Sequence, residues 1–326
     1  MEPIRLPANQ PPARFYRGGS RISAFRNQPP SQPNTPEDWV GSTTSVRGGA
    51  PTGMTRLSNH ELLATAIKRD PLAWLGAAHV QRYGSDTMLL VKLLDAGQRL
   101  PVHAHPSGGF ARRHLAAAHG KAEAWYILTP GVVYLGLTQD VSADELRALV
   151  VTQDAAALLS LMHEIPVRAG DSVFVPHGVL HAIGAGILLA EVQEPEDLSI
   201  LLEWADFDLD GENDGHLGLG FDLALTAVET RGRSLAEAEA LVRHGVTEGS
   251  TLPGDADPYF RLDRVTDSAE FPAGFAIIIA LDDGVLTITS GDSHDLAAGS
   301  TVLVPYDAGD YRIDGGALVA RPPSPW

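Results

Sequence analysis

The chain has 326 residues, 44% of them hydrophobic, and a formal net charge of −17. It is long enough for one large or two ordinary domains with a real core, while the charge argues against a nucleic-acid backbone or an anionic membrane as partner. With no cysteine, disulfides, thiolate catalysis and cysteine-ligated zinc are excluded together, so any metal must be held by His, Glu, Asp or Gln.

No apolar run is long enough to span a bilayer. The first residues lack the apolar core of a signal peptide, so a cytoplasmic protein is expected. Residues 1–52, rich in Pro, Gly, Asn and Ser, read as an irregular arm laid over a core built by others, because Phe15, Tyr16, Trp39 and Val40 need burial. A helix is expected over SNHELLATAIKRD, with Ser58 and Glu61 spaced as a capping box. TMLLVKLLDAG, closed by Gly97, suits a strand buried on both sides. AEAWYILTPGVVYLGLT gives two strands around Pro130–Gly131. A helix follows, opened by Ser142 and Glu145 and broken near Thr152–Asp154.

Strands return in DSVFVPHG, LLAEVQ and LSILLEW. SLAEAEALVRHG then predicts a helix opened by Ser234 and Glu237 and stopped at Gly245. From about Tyr259 the chain is short strands separated by Gly, Asp and Pro. The fold class is mostly β with inserted helices, of the sandwich or barrel kind. AGDSVFVPHG at 169–178 recurs as AGSTVLVPYD at 298–307, which suggests two copies of one β-module. Only the first copy runs on into a histidine, His181.

His103 and His105, one residue apart on a strand, can aim two imidazoles at one point. Gly97 precedes them in a G-x5-H-x-H spacing, and Gly170, Pro176, Gly178 and His181 give G-x5-P-x-G-x2-H. These resemble, in order, the two motifs of the cupin superfamily. That resemblance implies a double cupin of two jelly-roll β-barrel modules, with imidazoles and a carboxylate around a divalent ion in the barrel mouth. On this reading residues 1–240 form the metal-binding catalytic module with its arm and helical insertions. Residues 241–326 form a second module without ligands.

The glutamate after the H-x-H pair is Glu123, eighteen residues beyond His105, in GKAEAWYIL. There the sequence resembles the type I mannose-6-phosphate isomerases, through HAHP, GKAEAWYIL, GDSVFVPHGVLHAIGAG and AEVQEPED in that order. The resemblance covers nearly the whole chain, most weakly residues 1–60. It implies metal ligands at His103, His105, Glu123 and His181, with zinc or another divalent first-row ion as cofactor. It also implies an active-site lysine at Lys121 and a catalytic wall glutamate at Glu191. The family carries glutamine where this chain has His103. The implied activity is a metal-dependent aldose–ketose isomerisation, mannose 6-phosphate to fructose 6-phosphate through an enediol, on a small sugar or sugar phosphate and with neither nucleic acid nor membrane as partner. The sequence does not set the oligomeric state.

The family's essential arginine is expected ten residues after Glu191, where this chain has Leu201. A leucine neither donates hydrogen bonds nor neutralises charge, and Glu194, Glu196, Asp197 and Glu203 add negative charge nearby in sequence. Arg112 and Arg113 are candidate substitutes, or else a solvated basic helical turn. His114, His119 and His177 read as pocket-wall or surface histidines. An isomerase of an unphosphorylated sugar, a cupin metal-dependent oxygenase and a non-catalytic sugar-binding cupin stay open as alternatives.

Overall fold

The structure, a computed structural model, describes residues 1–12, 14–48 and 52–325, so parts of the arm at 13 and 49–51 lie outside the description. Four antiparallel sheets organise the described residues. The first runs, in spatial order, Val242–Arg243, Ser172–Val175, Glu123–Ile127, Leu188–Gln193, Leu90–Asp95 and Glu37–Val40. The second runs Ile200–Leu201, His103–Ala104, His181–Ile183, Gly131–Leu137 and Met162–Val167. The third, from Ile4–Leu6, continues through Thr301–Val304, Ala276–Ala280, Ala317–Arg321, Arg261–Val265 and Gly249–Ser250. The fourth is Ser268–Phe271, Tyr311–Asp314, Gly284–Ile288 and Ser293–Leu296.

The third and fourth sheets repeat the strand order of the first and second. The repeated segments occupy equivalent strands, Ser172–Val175 beside Glu123–Ile127 and Thr301–Val304 beside Ala276–Ala280. Both enter through a left-handed glycine, Gly170 at φ +91° and Gly299 at φ +77°, a turn that a side chain would strain. The chain also trades strands: Ile4–Leu6 pairs with the later module and Val242–Arg243 with the earlier one. One apolar cluster joins Leu93, Trp125 and Leu189 to Ile277, Leu303 and Leu318, so the first and third sheets share a core.

The expected fully buried strand is Leu90–Asp95, and the capping boxes at Ser142/Glu145 and Ser234/Glu237 form as spaced. Two helix expectations change. Ser58 and Glu61 do not cap; the helix starts at Leu63 behind Leu62, because the Asn59 side-chain Oδ1 accepts the Glu61 N–H and the Glu61 carboxylate pairs with Arg69. The Ser234 helix stops at Glu239 rather than Gly245, since Leu241 and Val242 are drawn onto the edge of the first sheet, where Phe174 donates to the Leu241 carbonyl at 2.8 Å. Within the arm, Tyr16, Trp39 and Val40 are buried and Phe15 is half-buried, as their apolar character requires.

Candidate metal centre and active-site cavity

The ligand candidates come from opposing sheets. His103 and His181 are directly paired across neighbouring strands of the second sheet, and Glu123 faces them from the first. Gly178 ties in the third imidazole by donating its N–H to the His105 carbonyl at 2.8 Å. One ligand atom from each of His103, His105, Glu123 and His181 lies within 4.8 Å of the others, and all four residues are buried.

Each imidazole is oriented from behind by a backbone carbonyl. His103 Nδ1 meets Pro101 O at 2.8 Å, His105 Nδ1 meets Leu198 O at 2.7 Å, and His181 Nδ1 meets Val179 O at 2.8 Å. A carbonyl only accepts, so each Nδ1 carries the proton and each Nε2 turns a lone pair inward. Those lone pairs face a carboxylate: His105 Nε2 is 2.9 Å from Glu123 Oε2, and His181 Nε2 is 3.3 Å from Glu123 Oε1. Among the described residues His105 Nε2, His181 Nε2 and Glu123 Oε2 make no hydrogen bond, the Lys121 ammonium standing 3.1 Å from Glu123 Oε2 as an ion pair. Buried acceptors crowded on acceptors are costly until a cation sits among them. The donor set therefore fits a divalent ion.

The protonation states agree. Burial, helped by Lys121, holds the His105 imidazole down to about 3, and burial with the neighbouring histidines keeps His103 well below its ordinary value. Burial alone raises the Glu123 carboxyl, but Lys121 and His105 outweigh it and hold Glu123 well below the usual carboxylate range. Neutral imidazoles and an ionised carboxylate are the forms that bind metal.

The cluster opens on a cavity of about 490 Å³ whose lining includes Lys121, Glu191, Lys92, Glu37 and Leu201, a size suited to a small ligand. Cross-strand register explains why these charges meet. Trp39 pairs with Lys92, Lys92 with Glu191, and Glu191 with Trp125. Glu37 and Glu123 stand two residues before Trp39 and Trp125, on the same face. Lys92 Nζ lies 3.6 Å from Glu37 Oε2 and 3.5 Å from Glu191 Oε1, and Lys121 Nζ lies 3.1 Å from Glu123 Oε2. Burial pushes the Glu191 carboxyl up to about 6, Lys92 pulling it down and Glu123 pushing it up.

Several neighbours suspected from the sequence lie elsewhere. Arg112 and Arg113 sit on the helix Gly108–His114 and do not line the cavity; Arg112 donates instead to Ala118 O. Glu194 accepts the Ala122 N–H and meets His177 Nε2 at 2.6 Å, Glu196 accepts the Ala118 N–H, and Glu203 is gripped by Arg99. Of the four acids near position 201, only Asp197 reaches the cavity. His119 pairs with Asp86 at 2.8 Å. Lys92, Glu37 and Arg14 line the cavity but carried no motif that could single them out.

The second module closes the same place. On the strands that correspond to those of His103 and His181, Phe271 pairs with Tyr311 and their rings stack at 5.3 Å. Ala276, paired with Val304, takes the position of Glu123, paired with Val175. Aromatic packing has replaced ligands there.

Comparison with solved structures adds the decisive observation. Phosphomannose isomerase from Salmonella typhimurium superposes with a TM-score of 0.74 at 14% identity, over 99% of this chain and 100% of that one. Mannose 6-phosphate isomerase from Bacillus subtilis gives 0.67 at 21%, over 98% and 99%. The chain has the phosphomannose isomerase fold. Among curated sequences, a mannose-6-phosphate isomerase of Streptococcus mutans is 32% identical over 204 residues, 60% of this chain and 58% of that protein. One from Bacillus subtilis is 26% identical over 244 residues, 73% of this chain and 75% of that protein. No family model matches. Within the phosphomannose isomerase fold, mostly β as expected, the cavity and the four-residue cluster lie between the sheets of the first module.

Gly178 gives a local test of this architecture. Its φ is +79°, and a Cβ there would stand 3.0 Å from Ala227 O. Gly178→Ala is expected to cost about 1–2 kcal/mol, read as a lower denaturant midpoint, with weaker metal retention because the turn anchors His105. An unchanged midpoint would contradict the strained-turn account.

Proposed function

We propose that the chain is a metal-dependent aldose–ketose isomerase that interconverts mannose 6-phosphate and fructose 6-phosphate. The observation that carries this is one cavity onto which the His103, His105, Glu123 and His181 cluster opens through His103 and Glu123, and which Lys121 and Glu191 also line. These four residues are the metal ligands, and zinc suits their nitrogen-rich set. The ion supplies Lewis acidity toward sugar oxygens, lowering the cost of negative charge in an enediol.

The protein groups do the rest. Glu191, ionised at neutral pH, takes the proton from C2 of the open-chain aldose and, once the hydroxyl proton has passed from O2 to O1, returns it to C1 of the enediolate, which leaves the ketose carbonyl at C2. Lys92, bridging Glu191 and Glu37, holds that carboxylate in place across the sheet. Lys121 donates to the substrate oxygen on which charge develops. Residues 1–240 form the catalytic module and 241–326 brace it, the filled position of Phe271 and Tyr311 leaving the brace no site of its own. No described helix is long and apolar enough to cross a membrane, and a cytoplasmic setting among sugar phosphates fits the reading.

The test is a coupled assay of the zinc-loaded protein with mannose 6-phosphate, run beside unphosphorylated mannose. Formation of fructose 6-phosphate, abolished by chelation and restored by zinc, is expected. No turnover of either sugar by metal-replete protein would remove the isomerase reading.

A further inference from the structure

The cavity poses a problem for an anionic substrate. Leu201, buried and apolar, lines it and offers an anion no donor. Lys121 and Lys92 also line it, but each stands against a carboxylate. A phosphoryl group needs donors that are not already spent.

Arg14, which also lines the cavity, supplies them. It enters the cavity from the N-terminal arm, with its side chain 15% exposed. The arm around it is fixed: Arg14 N–H donates to Asn34 O at 2.9 Å, the Phe15 ring meets Tyr16 and Phe207 edge-on, and the Phe15 carbonyl takes the Asp208 N–H. Only Nε of the guanidinium makes a hydrogen bond among the described residues, to Glu37 Oε1 at 3.2 Å. Nη2 lies 3.8 Å from Asp197 Oδ1, an ion-pair distance beyond hydrogen-bond reach. Among the described residues the four N–H donors of the two Nη atoms make no hydrogen bond, and their nearest charge is that of Asp197.

Glu37 orients Arg14 without exhausting it. That carboxylate also accepts from Tyr16 Oη at 2.6 Å and Trp39 Nε1 at 2.7 Å, and it faces Lys92. Asp197 likewise accepts the Arg47 N–H at 3.1 Å, which brings exposed Arg47 to the cavity rim. A planar guanidinium anchored through Nε and open at both Nη atoms has the geometry that grips two oxygens of a tetrahedral oxyanion.

We propose that Arg14, with Arg47 at the rim, determines specificity by taking the phosphoryl oxygens of the sugar phosphate, so that the anion subsite lies on the N-terminal arm and not at position 201. The inference rests on the isomerase reading for its substrate class. It makes the sugar chain run from the metal cluster to the arm.

The test compares wild type with Arg14→Gln, Arg14→Lys and Arg47→Gln, all zinc-loaded, on mannose 6-phosphate and on mannose. Arg14→Gln should raise KM for the phosphorylated sugar about 10- to 100-fold, with kcat within a few-fold and a clearly smaller loss of kcat/KM on mannose, so that the preference for the phosphorylated sugar falls. Arg14→Lys, which keeps the charge but loses the two-pronged grip, should fall between, and Arg47→Gln should show a smaller rise in KM. An unchanged KM in Arg14→Gln overturns the proposal. So does an equal loss on both sugars, which would mark Arg14 as a support for Glu37 only. Calorimetric binding of fructose 6-phosphate separates the two readings. If wild type turns over neither sugar, the isomerase reading fails. The subsite still stands if wild type binds fructose 6-phosphate and Arg14→Gln does not, and falls if the two bind alike.

Discussion

Glu191→Gln is expected to lower kcat for the sugar phosphate by about 10²–10⁴-fold, the range that a positioned general base contributes. Metal content and melting temperature should stay near wild type. The amide is isosteric, and Lys92, which loses its 3.5 Å partner, still faces Glu37 at 3.6 Å. The pH profile gives the same residue a second readout. Burial pushes Glu191 up to about 6, and only its ionised form accepts a proton. Below that value the ionised fraction falls about tenfold per pH unit, so kcat/KM should drop on the acid side and level off above about pH 7. The residual activity of Glu191→Gln should lack that acid limb. A variant with wild-type kcat would remove Glu191 from the chemistry; one with low kcat but an intact limb would assign the limb to another group.

What the sequence made legible divides along physical lines. The residues of the buried cluster could be read because each is tied to a local rule. His103 and His105 share a face through the two-residue period of a strand, and His181 follows a turn that Gly178 and Pro176 specify within a few positions. The repeat at 169–178 and 298–307 was legible for the same reason, and the matching strand orders of the two modules give it structural weight. Arg14 and Glu37 were not legible. They reach the cavity because the arm crosses the first module and Glu37–Val40 forms its edge strand, a placement set by packing among residues far apart in sequence. Lys92 was hidden differently, inside a run of apolar residues that reads as buried strand, which it is.

Charge was the least readable quantity. Counting acids near position 201 suggested a field hostile to phosphate, yet Glu203 is spent on Arg99, and Glu194 and Glu196 are bound by backbone N–H groups beyond the cavity wall. Sequence neighbours on a strand and the loop after it point different ways, so linear proximity overstates their common effect. Helix ends failed where tertiary pairing competed. Val242 joins a sheet edge that the helical pattern of SLAEAEALVRHG could not reveal.

Removing the metal should abolish activity and lower the melting temperature without unfolding the chain. A ligand bound only by the folded state, at a thousandfold excess over its Kd, contributes about 4 kcal/mol; spread over a 326-residue chain that amounts to a shift of about 6 °C. The second module shows why the fold survives. On the corresponding strands Phe271 and Tyr311 stack, and Ala276 stands where the first module has the Glu123 carboxylate, so this topology closes without an ion. The first module lacks that filling and keeps a buried carboxylate against imidazole lone pairs, so the loss is a local repulsion added to a large intact core. His181→Ala should be the harsher change, because His181 is fully buried and faces Glu123 at 3.3 Å. It is expected to cost at least about 100-fold in zinc affinity and to leave no measurable isomerase activity at ordinary zinc. Far-ultraviolet circular dichroism should stay native while metal analysis reads empty. A chelated protein with unchanged melting temperature and full activity would show that the four buried residues hold no ion that matters.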